Sequence, residues 1–184
     1  MRLFFLTVFA FFIGTTAYAA KLPPGLDPEN TLILELKSGQ VLIKLRPDLA
    51  PNHVAQVKKL TRQGFYNGII FHRVIEGFMA QSGDPTGTGA GGSTLPDLKA
   101  EFSKAPFKRG TLGMARAASP DSANSQWFIC FKDTPSLNGQ YTVVGEVVQG
   151  MENVDKIKRG GGEMGLVPAP QDKIISLKVV ADIK

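Results

Sequence analysis

Two short, mainly apolar runs separated by a Glu-Gly pair make up the segment Phe71-His72-Arg73-Val74-Ile75-Glu76-Gly77-Phe78-Met79-Ala80-Gln81-Ser82-Gly83-Asp84. The runs at 69–75 and 78–81 have the length and content of β-strands, and Glu76-Gly77 is a turn signal between them. From Gly83 to Pro96 the sequence is rich in Gly, Thr and Pro, which predicts a loop. The segment therefore predicts a pair of strands followed by a long connection.

Upstream of this segment, two apolar runs predict a β-hairpin. Residues 32–36 and 41–45 alternate around the turn Lys37-Ser38-Gly39-Gln40. A helix is predicted next, because Pro51-Asn52 is a start signal and Gly64 is a stop signal. The apolar residues between them recur at helical spacing: Val54, Val57 and Leu60.

Downstream, further runs predict strands at 111–115, 126–131, 142–148 and 174–180. A second, short helix that ends at Gly160 is predicted by the spacing of Met151, Val154 and Ile157. The 20 glycines and 12 prolines indicate many turns. The predicted fold is mainly β, a closed eight-stranded antiparallel β-barrel capped by two helices.

Length and composition favour one globular domain. The chain has 184 residues, of which 43% are hydrophobic and 20% charged, an ordinary globular balance. The net charge of +5 is scattered, and the absence of a basic stripe interleaved with aromatic residues argues against nucleic-acid binding. Cys130 is the single cysteine, so no internal disulfide is possible. Its position after Trp127-Phe128-Ile129 favours a buried residue over a reactive thiol.

Residues 1–19 have the features of a signal peptide. Arg2 precedes an almost wholly apolar run from Leu3 to Gly14, and Ala17-Tyr18-Ala19 is the small-x-small pattern that signal peptidase reads. The apolar run is shorter than the ~20 residues that span a bilayer, so cleavage is favoured over retention as a membrane anchor. The predicted organisation is a signal peptide at 1–19 and one domain at 20–184. The mature protein would then be free of the membrane, in a periplasm or fully secreted.

The segment 71–84 resembles the signature of the cyclophilin family of peptidyl-prolyl isomerases. Three more motifs follow in the family's order and spacing: Gly113-Met114-Ala115-Arg116, Asn124-Ser125-Gln126-Trp127-Phe128-Ile129 and Leu137-Asn138-Gly139. The resemblance runs from about Leu32 to Ile183, and the layout looks most like exported bacterial single-domain members. It implies a cyclophilin-like domain that isomerises X–Pro bonds and so assists the folding of exported proteins.

The resemblance also implies roles for ten residues. Arg73 and Gln81 would be catalytic, the guanidinium donating to the proline nitrogen of the twisted amide. The others would bind substrate: Phe78, Met79, Ala115, Arg116, Gln126, Phe128, Leu137 and Tyr141. No metal or cofactor is implied, because rotation about an amide breaks no covalent bond. The expected partners are proline-containing unfolded or partly folded polypeptides, bound by a monomer.

Three positions depart from the family's common pattern. Arg116 stands where many members have Asn, and the contact implied there is made by main-chain atoms. Tyr141 stands where many members have His, which puts any role of an imidazole in doubt. Ser136 replaces a Trp that helps many members bind cyclosporin, so weak cyclosporin binding at most is expected.

Other functions fit single features only. His53 and His72 are the only histidines and lack the spacing of a zinc site, and a hydrolase using His72 lacks a Gly-x-Ser-x-Gly motif. The loop 87–92 resembles a phosphate-binding loop, but no Lys-Ser/Thr pair follows it. A flexible rim beside a second pocket, for residues that precede proline, is favoured by the resemblance. A peptide-binding module without turnover stays open, although a pure binder has no need of Arg73.

Export should remove the signal peptide between Ala19 and Ala20, because the cleavage pattern ends there. We expect N-terminal sequencing of the exported protein to begin at Ala20 or next to it. Recovery of a species that still begins at Met1 from the membrane fraction would instead establish an uncleaved anchor.

Overall fold

The structure is a computed structural model that describes residues 22–183. Within this range, the eight β-strands and two α-helices are β1 Thr31–Leu36, β2 Gly39–Leu45, α1 Pro51–Arg62, β3 Arg73–Ile75, β4 Met79–Ser82, β5 Thr111–Met114, β6 Trp127–Cys130, β7 Val143–Gln149, α2 Met151–Val154 and β8 Ser176–Val179. Neither helix has the length and apolar character needed to cross a membrane. The predicted signal peptide lies outside the described residues.

The eight strands form one antiparallel sheet. Its order is β3-β4-β6-β5-β7-β2-β1-β8, and every pair of neighbours is antiparallel. The sheet curves into a half-barrel, which confirms the mainly β class, the number of strands and the two helices expected from the sequence. Closure into a complete barrel stays a prediction, because β3 and β8 lie at the two edges and do not pair with each other as strands.

Most element boundaries shift by a few residues from the sequence-based prediction, and α2 ends at Val154, before the predicted end at Gly160. Two of the differences have a clear cause in the contacts. The strand predicted at 69–75 is reduced to β3, because backbone groups before it bind the chain that precedes β8: Phe71 N donates to Asp172 O at 2.9 Å. The predicted four-residue turn at 37–40 contains only two residues, because Leu36 still pairs with Gly39. A two-residue turn suits the twist of an antiparallel pair, so the pairing continues further than the composition indicated.

Strand β6 separates two apolar clusters. Side chains alternate along a strand, so Trp127 and Ile129 enter the main core with α1, whereas Phe128 and Cys130 enter a smaller cluster with Met79. Trp127 and Phe128 therefore lie on opposite faces of the strand, and the burial of Cys130 confirms the sequence-based prediction. Burial raises the pKa of the Cys130 thiol to about 12, so the thiol is protonated and unreactive at neutral pH.

The N-terminus of α1 is capped by a residue from a distant loop. Ala50 at the cap position makes no side-chain hydrogen bond. The Glu101 carboxylate instead accepts from the backbone N–H groups of Asn52 and His53 at 3.1 and 3.0 Å, and it lies 2.6 Å from His53 Nδ1. Burial alone would raise the pKa of Glu101, but the hydrogen bonds from His53 and Asn52 lower it. The carboxylate therefore fixes its loop to the helix.

Replacing Glu101 by Ala leaves these donors without an acceptor and should lower the free energy of unfolding by about 1–3 kcal/mol. The folded-state pKa of Glu101 is lowered, so its carboxylate stabilises the fold fully above the ordinary pKa of 4.5. That contribution is lost as the pH falls through the lower folded-state value. In urea unfolding, the deficit of Glu101→Ala should be larger at pH 7 than at pH 3. Glu152→Ala, at an exposed position, is the control, and equal losses in the two variants would contradict this capping role.

Candidate active site

Three polar side chains form a hydrogen-bonded row across neighbouring strands. Arg73 on β3 and Gln81 on β4 are direct partners in the antiparallel register, so both side chains leave the same face of the sheet. Arg73 Nη1 donates to Gln81 Oε1 at 3.2 Å, and Gln81 Nε2 donates to Gln126 Oε1 at 2.8 Å. Gln126 Nε2 donates in turn to the carbonyls of Gly89 and Gly91. The row sets the position of the guanidinium relative to the glycine-rich loop.

The guanidinium of Arg73 has no carboxylate partner among residues 22–183. Its Nε donates to the carbonyl of Met164 at 3.0 Å, so this acceptor and Gln81 are both neutral, and Nη2 has no hydrogen bond within the described residues. Burial lowers the pKa of Arg73, but a guanidinium remains protonated at neutral pH. The site therefore contains a half-buried positive charge that is not neutralised and still has free N–H donors.

A cavity of about 420 Å³ includes this guanidinium in its wall. It brings together nine of the residues assigned by resemblance: Arg73, Phe78, Met79, Gln81, Ala115, Arg116, Phe128, Leu137 and Tyr141. The tenth, Gln126, lines an adjoining cavity that shares Gln81 and is bordered by the glycine-rich loop. The volume is in the range of small-ligand sites. All ten residues thus meet in one region, and their individual roles stay predictions.

The apolar part of the cavity, called here the apolar pocket, consists of Phe78, Met79, Phe128, Leu137 and Tyr141. Met79 and Phe128 form its buried floor, with 1% and 4% of their surface exposed. Phe128 stacks on Phe107 with 5.8 Å between ring centroids, and it meets Tyr141 edge-on at 5.9 Å. These contacts hold the rings in place, so the pocket is formed before any ligand enters.

Close packing under the pocket requires a glycine. A Cβ on Gly113 would lie 2.6 Å from Phe107 Cε1 and from Phe128 Cζ, which is too close for any side chain. Gly113 is the glycine of the Gly-Met-Ala-Arg motif, so this motif residue acts through packing. It lets both rings lie directly on β5.

Arg116 makes side-chain contacts that sequence reasoning missed. Its guanidinium carbon lies 4.6 Å from the ring centroid of Tyr141, within the range of a cation–π interaction. Its Nε and Nη2 donate to the carbonyl of Gln140, and Nη1 donates to the carbonyl of Ala117. Arg116 therefore supports the Tyr141 wall of the apolar pocket. Unlike Arg73, it uses all three of its guanidinium nitrogen atoms within the wall itself.

Asp84 orders the start of the glycine-rich loop. Its carboxylate accepts hydrogen bonds from Thr86 N at 2.7 Å, Thr86 Oγ1 at 2.8 Å and Gly89 N at 2.6 Å. Burial alone would raise the pKa of Asp84, but the hydrogen bonds from Thr86 and from the loop amides lower it to about 2. The next regular element after the loop is β5, so the helix N-terminus of a phosphate-binding loop is missing here.

Six further residues also line the cavity: His72, Thr88, Gly89, Ala90, Met164 and Leu166. Thr88, Gly89 and Ala90 belong to the loop that the resemblance placed as a rim beside a second pocket, whereas the other three were not assigned to the site. Both ring nitrogens of His72 are buried without a hydrogen-bond partner in the described chain, and burial lowers the pKa of His72, which favours a neutral ring. No group of three His, Cys, Asp or Glu side chains within residues 22–183 is arranged to hold a metal ion. Met164 and Leu166 had one sequence signal, namely two apolar residues in a glycine-rich stretch.

Comparison with known proteins gives a consistent result. The model of the family described as cyclophilin type peptidyl-prolyl cis-trans isomerase/CLD matches residues 31–179. A probable peptidyl-prolyl cis-trans isomerase from Brucella suis biovar 1 (strain 1330) is 57% identical, with 95% of each chain covered. A peptidyl-prolyl cis-trans isomerase from Helicobacter pylori (strain ATCC 700392 / 26695) is 42% identical, with 69% of this chain and 79% of the relative covered.

Solved structures agree with these relatives. A cyclophilin from Hirschia baltica superposes with a TM-score of 0.76 at 28% identity, covering 86% of this chain and 77% of the other. A cyclophilin type isomerase from Cryptosporidium parvum, crystallised in the presence of the dipeptide Ala-Pro, gives a TM-score of 0.74 at 28% identity, covering 81% and 98%. The chain therefore belongs to the cyclophilin-type peptidyl-prolyl cis-trans isomerases, and its activity is the isomerisation of X–Pro peptide bonds.

Proposed function

We propose that this isomerase acts on unfolded or partly folded polypeptides outside the cytoplasm, with Arg73 as the donor that stabilises the twisted amide. The observation that carries the proposal is a positive charge without a carboxylate partner beside the apolar pocket. The Nη2 group of Arg73 has no hydrogen bond within the described chain, while neutral acceptors fix Nε and Nη1. A donor of this kind is free to interact with a substrate and is already oriented.

The reaction needs no nucleophile. Amide resonance gives a rotation barrier of ~18–20 kcal/mol, and X–Pro exchange without a catalyst takes tens to hundreds of seconds. Turnover in milliseconds requires the barrier to fall by about 6–7 kcal/mol, at 1.36 kcal/mol for each tenfold in rate. The enzyme has only to bind the twisted amide better than either planar form.

The cavity offers the two interactions that this requires. The apolar pocket binds the proline ring, because the transfer of this apolar ring from water is favourable. The peptide bond that precedes the proline stays free to rotate. As the bond twists, the proline nitrogen loses conjugation, becomes pyramidal and gains a lone pair that accepts from the guanidinium of Arg73. The planar amide has no such lone pair, so the contact stabilises the transition state selectively. Gln81 keeps the guanidinium in position.

The clients and the location rest on other observations. Residues 1–19 have the sequence features of a signal peptide, which supports action on exported proteins in a periplasm or outside the cell. The Cryptosporidium parvum relative was crystallised with Ala-Pro, which supports proline-containing peptides as ligands. We also propose that the protein acts as a monomer, because residues of this one chain are enough to form the wall of the cavity.

We also infer that the sheet closes into a barrel through the chain segments that precede its two edge strands. Gly68 N donates to Ile174 O at 2.7 Å, and Val167 N donates to His72 O at 3.0 Å. An isolated antiparallel bridge joins Ile70 to Lys173 in the same region. Such closure would support β3, and therefore Arg73, on the side away from β4.

Arg73→Ala should lower kcat/KM by about 10²-fold or more, the effect of removing a preorganised transition-state donor. Arg73→Lys should restore little, because an ammonium lacks the planar fork that Gln81 and the Met164 carbonyl orient. Arg116→Ala should cost only a few-fold, through the Tyr141 wall. The measurement is kcat/KM on a proline-containing peptide, after each variant is shown to be folded.

The matched control is Arg46→Ala, since Arg46 pairs with Asp48 on the surface away from the cavity. It should retain wild-type activity. Equal losses in Arg73→Ala and Arg116→Ala would show that the roles of the two arginines are wrongly assigned. If Arg73→Ala turns the peptide over as fast as the wild type does, the arginine mechanism is wrong. If the wild-type protein binds the peptide tightly but does not turn it over, the protein is a binding module instead.

Cyclosporin should inhibit this protein weakly. Ser136 is exposed beside Leu137 of the apolar pocket, and serine offers neither an indole surface nor its N–H donor to a ligand. Ser136→Trp should therefore lower the inhibition constant by about tenfold or more. Equal and tight inhibition of the wild type and the variant would refute this expectation.

A further inference from the structure

The segment 160–166, called here the rim hairpin, folds back along the free edge of β3. Val74 N donates to Gly165 O at 2.7 Å, and Gly160 N donates to Val74 O at 2.8 Å. Gly161 N donates to Leu166 O at 3.1 Å, which closes the hairpin on itself. The rim hairpin therefore extends the sheet at the strand that carries Arg73.

Glycines allow the two arms of the rim hairpin to lie close to each other and to β3. A Cβ on Gly160 would overlap the carbonyl oxygen of Gly165, and a Cβ on Gly165 would overlap the side chain of Ile75. Gly165 also has φ +67°, a left-handed conformation that other residues rarely adopt. The backbone contacts and the close fit fix the hairpin, so its side chains occupy defined positions at the edge of the cavity.

Two of those side chains are large, apolar and exposed. Met164 and Leu166 have 66% and 56% of their surface accessible, more than the other exposed large hydrophobic residues in the described chain. Both line the cavity that contains Arg73, whereas Phe102, Val148 and Ile175 do not. Single exposed apolar residues are ordinary on protein surfaces. Two neighbouring ones that continue the wall of a binding cavity indicate a surface that a ligand covers.

The geometry of Arg73 shows on which side of the site this surface lies. Nε–H and Nη1 are on opposite sides of the Nε–Cζ bond of a guanidinium. Nε donates to Met164 O, and Nη1 donates to Gln81, which leads through Gln126 to the glycine-rich loop. The rim hairpin and the glycine-rich loop therefore lie on opposite sides of the guanidinium. In a polypeptide whose proline nitrogen lies at Arg73, the residues before the proline can contact one of these two surfaces, and the residues after it can contact the other.

We propose that Met164 and Leu166 form a subsite for an apolar side chain of the client, at the residue that follows proline. The proposal rests on the proposed function, because it requires the proline ring in the apolar pocket and the preceding residues at the glycine-rich loop. A thioether and an isobutyl group bind aliphatic and aromatic side chains by dispersion and by removing apolar surface from water. A carboxylate would lose hydration against this apolar surface, so an acidic residue is disfavoured at this place.

The test compares blocked Ala-Ala-Pro-Xaa peptides in which Xaa is Leu, Gly or Asp. Burying part of one aliphatic side chain should raise kcat/KM for the Leu peptide about fivefold to tenfold over the Gly peptide. The Asp peptide should be the poorest substrate. Rates are measured by exchange NMR at equilibrium, so that no coupling protease adds its own preference, and peptide affinities are measured by titration in parallel.

The variant Met164→Ser/Leu166→Ser should reduce the Leu/Gly ratio to about one, since it removes the apolar surface and keeps the glycines that fix the hairpin. Ile175→Ser is the matched control, because Ile175 is an exposed apolar residue outside the cavity. It should keep the wild-type ratio. A Leu/Gly ratio near one in the wild type, or a ratio that survives the double substitution, would overturn the subsite.

The two proposals fail in different ways. Turnover of all three peptides without preference contradicts the subsite and leaves the proposed function intact. If the wild type turns over none of them, the proposed function fails, and the titrations decide the subsite. Tighter binding of the Leu peptide that is lost in Met164→Ser/Leu166→Ser would then support it, and equal affinities would overturn it.

Discussion

Arg73 carries a half-buried positive charge that neutral groups hold in place, and the rest of the site depends on that arrangement. A carboxylate would have held the guanidinium as firmly, but it would have neutralised much of the charge that the proposed mechanism uses. Gln81 and the Met164 carbonyl fix the orientation and leave the charge available. Partial burial of an unpaired charge is unfavourable, and these hydrogen bonds offset part of that cost. Each element that supports the two acceptors therefore also supports the position of Arg73 and the catalytic role proposed for it.

The sheet supplies those supports because one strand separates two environments. Along β6, Trp127 and Ile129 belong to the main core, while Phe128 and Cys130 belong to the cluster beneath the apolar pocket. The main core stabilises the sheet, so the pocket cluster is free to leave one side open to a ligand. Gly113 adds to this division, because its missing side chain lets Phe107 and Phe128 pack directly against β5. The alternation of side chains along β6 therefore gives the apolar pocket a rigid floor and leaves its other side open to solvent.

Carboxylates act elsewhere in the molecule, on the loops. Glu101 accepts backbone hydrogen bonds at the start of α1, and Asp84 accepts them within the glycine-rich loop. In both cases hydrogen bonds to the charged form outweigh burial and lower the pKa, so the carboxylates stay ionised at neutral pH. The loop at the start of α1 and the glycine-rich loop beside the cavity are thus ordered by negative charges that do not pair with Arg73. This separation keeps the charge of Arg73 free while the surrounding backbone is fixed.

Apolar alternation and turn signals are local properties of the chain, so the sequence by itself determined the order of the strands and helices along it. The family and ten of the residues around the cavity came from the resemblance of its motifs to those of known proteins. The sequence could not show that Arg116 lies on the Tyr141 ring, that Glu101 caps α1, or that Met164 and Leu166 border Arg73. Glu101 and Met164 lie 48 and 91 residues along the chain from their partners His53 and Arg73. Only the tertiary structure decided these contacts. The path of the chain through the sheet brings such distant residues together, and no pattern within a single segment encodes that path.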